Sequence, residues 1–203
     1  MTFDSVRVVL RARPLRENEE MSNIVFKEQQ VILNQRTFTF DAVYPPSSVQ
    51  KDVYDYSIKP LFDCFMKGEN GVIFAYGQTG AGKTYSLGTS SKSELDPSEE
   101  GILPRFTRSL FQQITDDCEV YVSFVSLNDE IHDLLVYPEL VTILDIQDAR
   151  QKRVYSTHDL LRLLSKRKLP KKCHRLFTVT LKQSETVSKF CFVDLAEKNS
   201  TRI

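Results

Sequence analysis

Gly77-Gln78-Thr79-Gly80-Ala81-Gly82-Lys83-Thr84 has the spacing G-x-x-x-x-G-K-T of a phosphate-binding P-loop, and its reading decides the fold. Gly77, Gly80 and Gly82 carry no Cβ, so the backbone can curl round an anion with its N–H groups turned inward. Lys83 supplies a point charge for β- and γ-phosphates, and the Thr84 hydroxyl suits Mg²⁺. Directly upstream, Gly71-Val72-Ile73-Phe74-Ala75-Tyr76 is a short apolar run, the pattern of a buried parallel strand. A helix beginning at Gly82 or Lys83 would add its positive N-terminal end. Strand, loop and helix in this order predict an α/β fold of the P-loop NTPase type: a central, mostly parallel sheet with helices on both faces.

Outward from the loop, strand-like and helix-like stretches alternate. Val6 to Leu10 reads as a first strand, Glu17 to Glu20 as an acidic surface loop, and residues 23–40 as a small hairpin lobe around Asn34-Gln35. Pro45-Pro46-Ser47-Ser48 breaks the chain and offers a cap to a helix whose apolar face is Tyr54, Ile58, Leu61, Phe62 and Phe65. Pro60 should bend that helix, and Gly68 to Gly71 should end it. Ser90 to Glu100 is polar and acidic, hence a surface loop; Leu103 to Ile114 is a helix with Leu103, Phe106, Leu110 and Ile114 inward. Val120 to Leu127 and Val141 to Ile146 read as strands. Ser156-Thr157-His158-Asp159 opens a helix with Leu160, Leu161, Leu163 and Leu164 on its apolar side. Leu176 to Leu181 and Val187 to Val193 are strands paired across Lys182 to Thr186.

Bulk properties narrow the class. The 203 residues suit one domain with a sizeable core. Lysine plus arginine and aspartate plus glutamate both total 27, which argues against a protein that coats nucleic acid. There is no basic segment followed by an apolar leader and no run long enough to cross a bilayer, so a soluble intracellular protein is expected. Cys64, Cys118, Cys173 and Cys191 are widely spaced and read as reduced thiols, mostly in the core. The basic run Lys166 to Arg175 reads first as a solvated loop. As a functional patch it would meet the acidic surface of a partner, or serve nuclear localisation or nucleic-acid contact.

The segment Ala75 to Tyr85 resembles the nucleotide-binding loop of kinesin motor domains, and further matches come in that family's order. Val8 to Leu15 contains R-x-R-P as Arg11, Arg13 and Pro14; Phe38 to Tyr44 is similar to F-x-F-D-x-V-F, and Ile58-Lys59-Pro60-Leu61 to the K-P-L of the first helix. Gly101-Ile102-Leu103-Pro104-Arg105, Asp129 to Leu135 and Val193-Asp194-Leu195-Ala196 complete the set, so the resemblance runs from residue 6 to about 196. It implies ATP or ADP with Mg²⁺ as cofactors and tubulin, in microtubules, as partner. Arg11 and Pro14 would flank the adenine with Arg13 alongside, and Tyr85 would pack on the base. Thr84 would hold the metal directly and Asp194 through water, with Asp194 and His174 the candidate catalytic residues. The implied place is the cytoplasmic cytoskeleton, with nucleus or chromosomes as alternatives.

The same resemblance exposes departures. Against the family's switch I, N-x-x-S-S-R-S-H, this chain has Pro170-Lys171-Lys172-Cys173-His174, and lysine lacks the planar fork of the arginine it replaces. Against switch II, D-L-A-G-S-E, it has Asp194-Leu195-Ala196-Glu197-Lys198-Asn199, so both halves of the family's switch ion pair are altered. Residues 1–203 are expected to form one incomplete, C-terminally truncated motor domain, ending just after switch II with marginal stability or a need for a partner. A kinesin-like motor with ATPase activity is one reading. The second, which the altered switches favour, is a nucleotide-binding or scaffold module with impaired hydrolysis and motility. A P-loop kinase or other NTPase unrelated to filaments is disfavoured by the ordered matches.

Overall fold

The computed structural model describes residues 6–17, 19, 23–89, 96–136, 141–165 and 173–196. The switch residues Lys171, Lys172, Glu197, Lys198 and Asn199, and most of the run beginning at Lys166, therefore lie outside the described residues.

The N-terminal third makes two small sheets. Strand β1 (Val9–Arg11) pairs in parallel with β5 (Ala42–Tyr44), while β2 (Ile24–Phe26), β3 (Gln30–Leu33) and β4 (Arg36–Thr39) form an antiparallel meander. Asn34 and Gln35, at φ 47° and 67°, turn β3 into β4; side chains that tolerate the left-handed region suit such a turn. The first strand starts three residues later than its apolar run suggests, at Val9, where the register with Ala42 of β5 begins.

Next come α1 (Gln50–Val53), a π-helical turn (Tyr54–Ile58) and α2 (Lys59–Phe65). Pro60 lacks an N–H to donate back into the helix, and the wide turn just before it absorbs the missing bond; this is the bend expected there. The serine cap does not form. Val49 is the N-cap residue, and its N–H reaches the Asp52 carboxylate at 3.4 Å. The helix ends at Phe65, ahead of Gly68, while Gly71 already opens the next strand.

Among the described residues the main sheet has seven strands: β6 (Gly71–Ala75), β7 (Glu119–Leu127), β8 (Ile131–Asp133), β9 (Val141–Ile143), β10 (Lys152–Val154), β11 (His174–Gln183) and β12 (Thr186–Asp194). Their order is β6-β12-β11-β7-β8-β9, with β10 beside the start of β7. The α/β class holds, but the sheet is mixed rather than mostly parallel. Among the described residues β6 with β12 is the one parallel pair in it, because β11 and β12 are joined by a tight hairpin through Ser184 (φ 45°) and β7 to β9 form a meander.

Helices α3 (Lys83–Leu87), α4 (Ile102–Gln113) and α5 (Thr157–Ser165) join α1 and α2 in one core against the sheet. The sequence predicts helices on both faces, and here the structure differs. Among the described residues all five share the face that carries Phe124, Phe177, Phe190 and Phe192, whereas Val72 and Phe74 on the opposite face of β6 are 49% and 61% exposed. The strand before the P-loop is thus parallel as read, but half-buried on one face and exposed on the other. No helix among the described residues is long and apolar enough to cross a membrane, and none of the four cysteines forms a disulfide; Cys173 is buried and the other three are half-buried.

Phe106 is the hub of the core. Its ring meets Phe62 edge-on at 5.0 Å, and it packs on Phe190 and Phe192 at 4.6 and 5.1 Å, tying α4 to α2 and to β12. Gly71 leaves room for the same cluster, since a Cβ there would meet Phe190 Cε2 at 2.5 Å. Phe106→Ala should cost about 3–5 kcal/mol of stability. Urea unfolding of the variant checks this, and a loss under about 1 kcal/mol would show that the aromatic cluster is not the anchor described.

Candidate phosphate-binding site

The P-loop connects β6 to α3 with the backbone its glycines permit. Gly77, Gly80 and Gly82 have φ of 152°, 73° and 95°, values that side chains with a Cβ rarely adopt. The loop is curled by an Ala81 N–H bond to the Gln78 carbonyl at 3.1 Å. A Cβ at Gly77 would press on that of Ala81 at 3.1 Å. Lys83 lies across the loop, its Nζ donating to the carbonyls of Gly77 (2.6 Å) and Gln78 (3.1 Å). Gln78, Thr79 and Gly80 are exposed at the tip. Helix α3 is one turn long, so its macrodipole adds little and the loop amides themselves carry the anion-binding character. The short helix is held close to α4: Gly88 at its C-cap (φ 75°) sits where a Cβ would meet Gly101 Cα at 2.9 Å.

Parallel pairing of β6 with β12 sets Ala75 beside Asp194, so the two strands end together and the segments leaving them lie side by side. The Leu195 N–H donates to the Ala75 carbonyl at 3.2 Å. Thr84 Oγ1 comes to 3.4 Å from Asp194 Oδ2, bringing together two of the residues read from the sequence as metal-related. A hydroxyl and a carboxylate so placed form an all-oxygen pair, the donor type that suits a hard divalent cation with water in its shell. Among the described residues no group of three or more His, Cys, Asp or Glu could hold a metal by itself. Thr84 and Asp194 leave most of a divalent ion's shell to be filled, which suits magnesium held jointly with a bound phosphate. His174, the other candidate catalytic residue, stands at the start of β11. Its Nδ1 accepts the Ala196 N–H at 3.0 Å, so the imidazole buttresses the chain after β12.

The R-x-R-P residues form a second cluster beside α3. Arg11 Nη1 donates to Gln50 Oε1 (2.7 Å) and to Ser86 Oγ (3.1 Å), and its guanidinium lies 5.1 Å from the centre of the Tyr85 ring. Burial lowers the Arg11 pKa, while the Tyr85 phenol and Glu99 oppose that shift. Tyr85 OH donates to Glu99 Oε2 at 2.5 Å, and burial, then Glu99, raises its pKa. Gln50, buried and uncharged, closes the cluster with Nε2 bonds to the carbonyls of Tyr85 and Glu99. Arg13 makes a two-pronged pair with Glu19 at 2.7 and 2.6 Å and also meets the Pro14 carbonyl, leaving Pro14 exposed. Glu19 in turn accepts the Arg16 N–H, and Arg16 Nη2 is 3.5 Å from the Gly80 carbonyl at the loop tip.

The structure thus brings Gly77 to Tyr85 together with Asp194 and sets Arg11, Arg13 and Pro14 alongside. Sequence reasoning missed Gln50, Ser86, Glu99, Glu19, Arg16 and Arg175. Position alone gives them no mark; only the tertiary register shows that Arg175 Nη1 is 3.7 Å from Asp194 Oδ2.

Together these features define a P-loop α/β domain. Comparison with known proteins is then specific: the profile of the kinesin motor domain matches residues 6–202, and the chain belongs to that family. It is 42% identical to the kinesin-like protein klp-19 of Caenorhabditis elegans over 64% of its length, and 30% identical to mouse KIF27 over 94%. It spans 13% and 17% of those two relatives, under a fifth of their length. Its fold is similar to that of the Drosophila kinesin family member NOD in complex with AMPPNP, with TM-score 0.87 and 29% identity, covering 98% of this chain and 74% of NOD. The structure of NOD with divalent manganese and ADP gives TM-score 0.85 at 30% identity, covering 97% and 72%.

The Arg13 guanidinium holds Glu19 down to about 2, well below its ordinary 4.5, with the Arg16 N–H assisting. A depressed carboxylate stabilises the fold above its unfolded value and loses that contribution as pH falls through its folded value, here between 4.5 and about 2. In Arg13→Ala the Glu19 midpoint should rise toward 4.5 in an NMR titration of the side-chain carboxyl. An unchanged midpoint would mean that the pair does not order the turn beside the loop.

Proposed function

We propose that this chain is a nucleotide-binding kinesin motor domain that takes ATP or ADP with Mg²⁺ at Gly77 to Thr84, and that it hydrolyses slowly and does not walk. The supporting observation is the curled loop with Lys83 across it and Thr84 facing Asp194. Loop amides and Lys83 would receive the β- and γ-phosphates, Thr84 the metal, and Asp194 a water on that metal; the metal would supply charge neutralisation for the phosphates. Pro14 and the exposed edge of Tyr85 would border the base, with Arg11 and Arg13 shaping that border from behind. NOD structures with AMPPNP and with manganese and ADP accord with this ligand class.

Slow turnover is argued from the sequence of the switches. P-loop catalysis is positioning and charge stabilisation, and Lys172, Glu197 and Asn199 replace the groups that would do both. The Ala196 N–H occupies His174 Nδ1, which supports a positioning role for this imidazole in the proposed reading. Tubulin is the partner of this reading, at the cytoskeleton; NOD has been docked with bovine tubulin in a map of its microtubule complex. An active motor remains the competing reading, since the whole loop and Asp194 are retained.

Titration with a fluorescent ATP analogue and Mg²⁺ tests the site. Lys83→Ala should weaken binding at least about tenfold, or 1.4 kcal/mol; equal affinity would remove the P-loop from the account. Turnover measured with and without microtubules tests the rest. The proposal expects rates well under about 1 s⁻¹ in both, and stimulated turnover at the about 1–10³ s⁻¹ usual for enzymes would favour the motor.

A further inference from the structure

Arg175 takes no part in the phosphate, metal and base contacts assigned to the P-loop and its neighbours, yet it stands at the same edge of the sheet. It lies directly opposite Asp194 in the antiparallel register of β11 and β12, and opposite Ser126 of β7 on its other side. Arginine and aspartate facing each other across two strands are held in range by the sheet itself, not by a flexible surface contact. Both are sheltered, with side-chain exposures of 24% and 11%. Arg175 Nη1 approaches Asp194 Oδ2 at 3.7 Å, and that same oxygen is the one 3.4 Å from Thr84 Oγ1. The carboxylate oxygen that would accept from a metal-bound water therefore already faces a fixed positive charge.

We propose that Arg175 acts as a tethered cation at Asp194, so that a nucleotide held by the P-loop depends only weakly on divalent metal. The inference rests on the nucleotide-binding reading. A guanidinium stays protonated at every physiological pH, so its charge is present whether or not a metal is bound. It neutralises Asp194, which otherwise would repel the phosphates and need Mg²⁺ to offset it. It also places positive charge near any divalent ion that settles against Thr84, which weakens the preference for the metal-loaded nucleotide. The two effects act together: one raises affinity for free nucleotide, the other lowers the gain from adding Mg²⁺.

The test uses the intact chain and a fluorescent ATP analogue, titrated once with excess Mg²⁺ and once with EDTA. For the natural chain the two dissociation constants should agree within about threefold, whereas Arg175→Gln, which keeps much of the stem and loses the charge, should bind at least about tenfold more weakly in EDTA than in Mg²⁺. Arg175→Lys, restoring a cation, should return the ratio toward that of the natural chain. A ratio of about tenfold or more for the natural chain overturns the proposal, and so does an Arg175→Gln ratio equal to that of the natural chain. If Arg175→Gln does not fold, as judged by its thermal melt, the ratio of the natural chain alone still decides. Binding that is absent, or identical in Lys83→Ala under both conditions, overturns the nucleotide reading itself and this inference with it.

Discussion

The site depends first on the parallel register between β6 and β12. Pairing Ala75 with Asp194 makes the two strands finish at one edge of the sheet, so that the glycine loop leaving β6 meets the carboxylate ending β12. Neither segment alone defines the site, because the threonine–aspartate approach joins residues 110 positions apart. The packing that holds the register is apolar: Phe190 lies where only a glycine at 71 leaves room, and Phe106 closes over it from α4. The chemistry thus sits on a rigid seam of aromatic packing, and the hairpin from β11 adds a further antiparallel ladder of nine paired residues.

A second constraint fixes α3 from the side. Five residues of helix cannot hold their own orientation by backbone bonds alone. Arg11, Gln50, Tyr85 and Glu99 supply the support that the helix lacks, each bonding across to a different element. Arg11 in particular is occupied by Gln50, Ser86 and the Tyr85 ring, so it acts on a bound base through the shape of the pocket wall. Family resemblance places Arg11 and Tyr85 each against the base; the geometry shows them stacked on one another first.

Much of this is legible in the sequence because the informative residues are locally determined. The loop glycines, the strand before them, the helix at Leu103 to Ile114 and the final hairpin all come from conformational preference or apolar period, and the structure places them within about two residues of expectation. The Ser156 cap is real, its Oγ accepting the Asp159 N–H at 3.1 Å. Other features are not legible because they depend on pairing between distant segments. β5, β8 and β10 are three residues each and carry too little periodicity to read. The direction of strand pairing has no local signature, which is why a sheet with one parallel pair reads from its sequence as parallel-rich. Ser47 and Ser48 are typical cap residues, yet the N-cap falls one step later at Val49, where Asp52 serves the N–H instead.

Arg175 shows the same limit at the level of a single residue. In the chain it sits between His174 and Leu176, both of which match a motif, and nothing in its own identity singles it out. Only the register of three strands puts it in a row with Ser126 and Asp194, on the face that also carries Phe177. A long cationic side chain sheltered at the edge of a largely apolar sheet face needs a carboxylate or bears the cost of burial, and Asp194 is the one its register offers. The same carboxylate is the group that the P-loop chemistry would use. Placing an arginine there changes the charge of the site before any ligand arrives, even where every residue of the loop itself is retained.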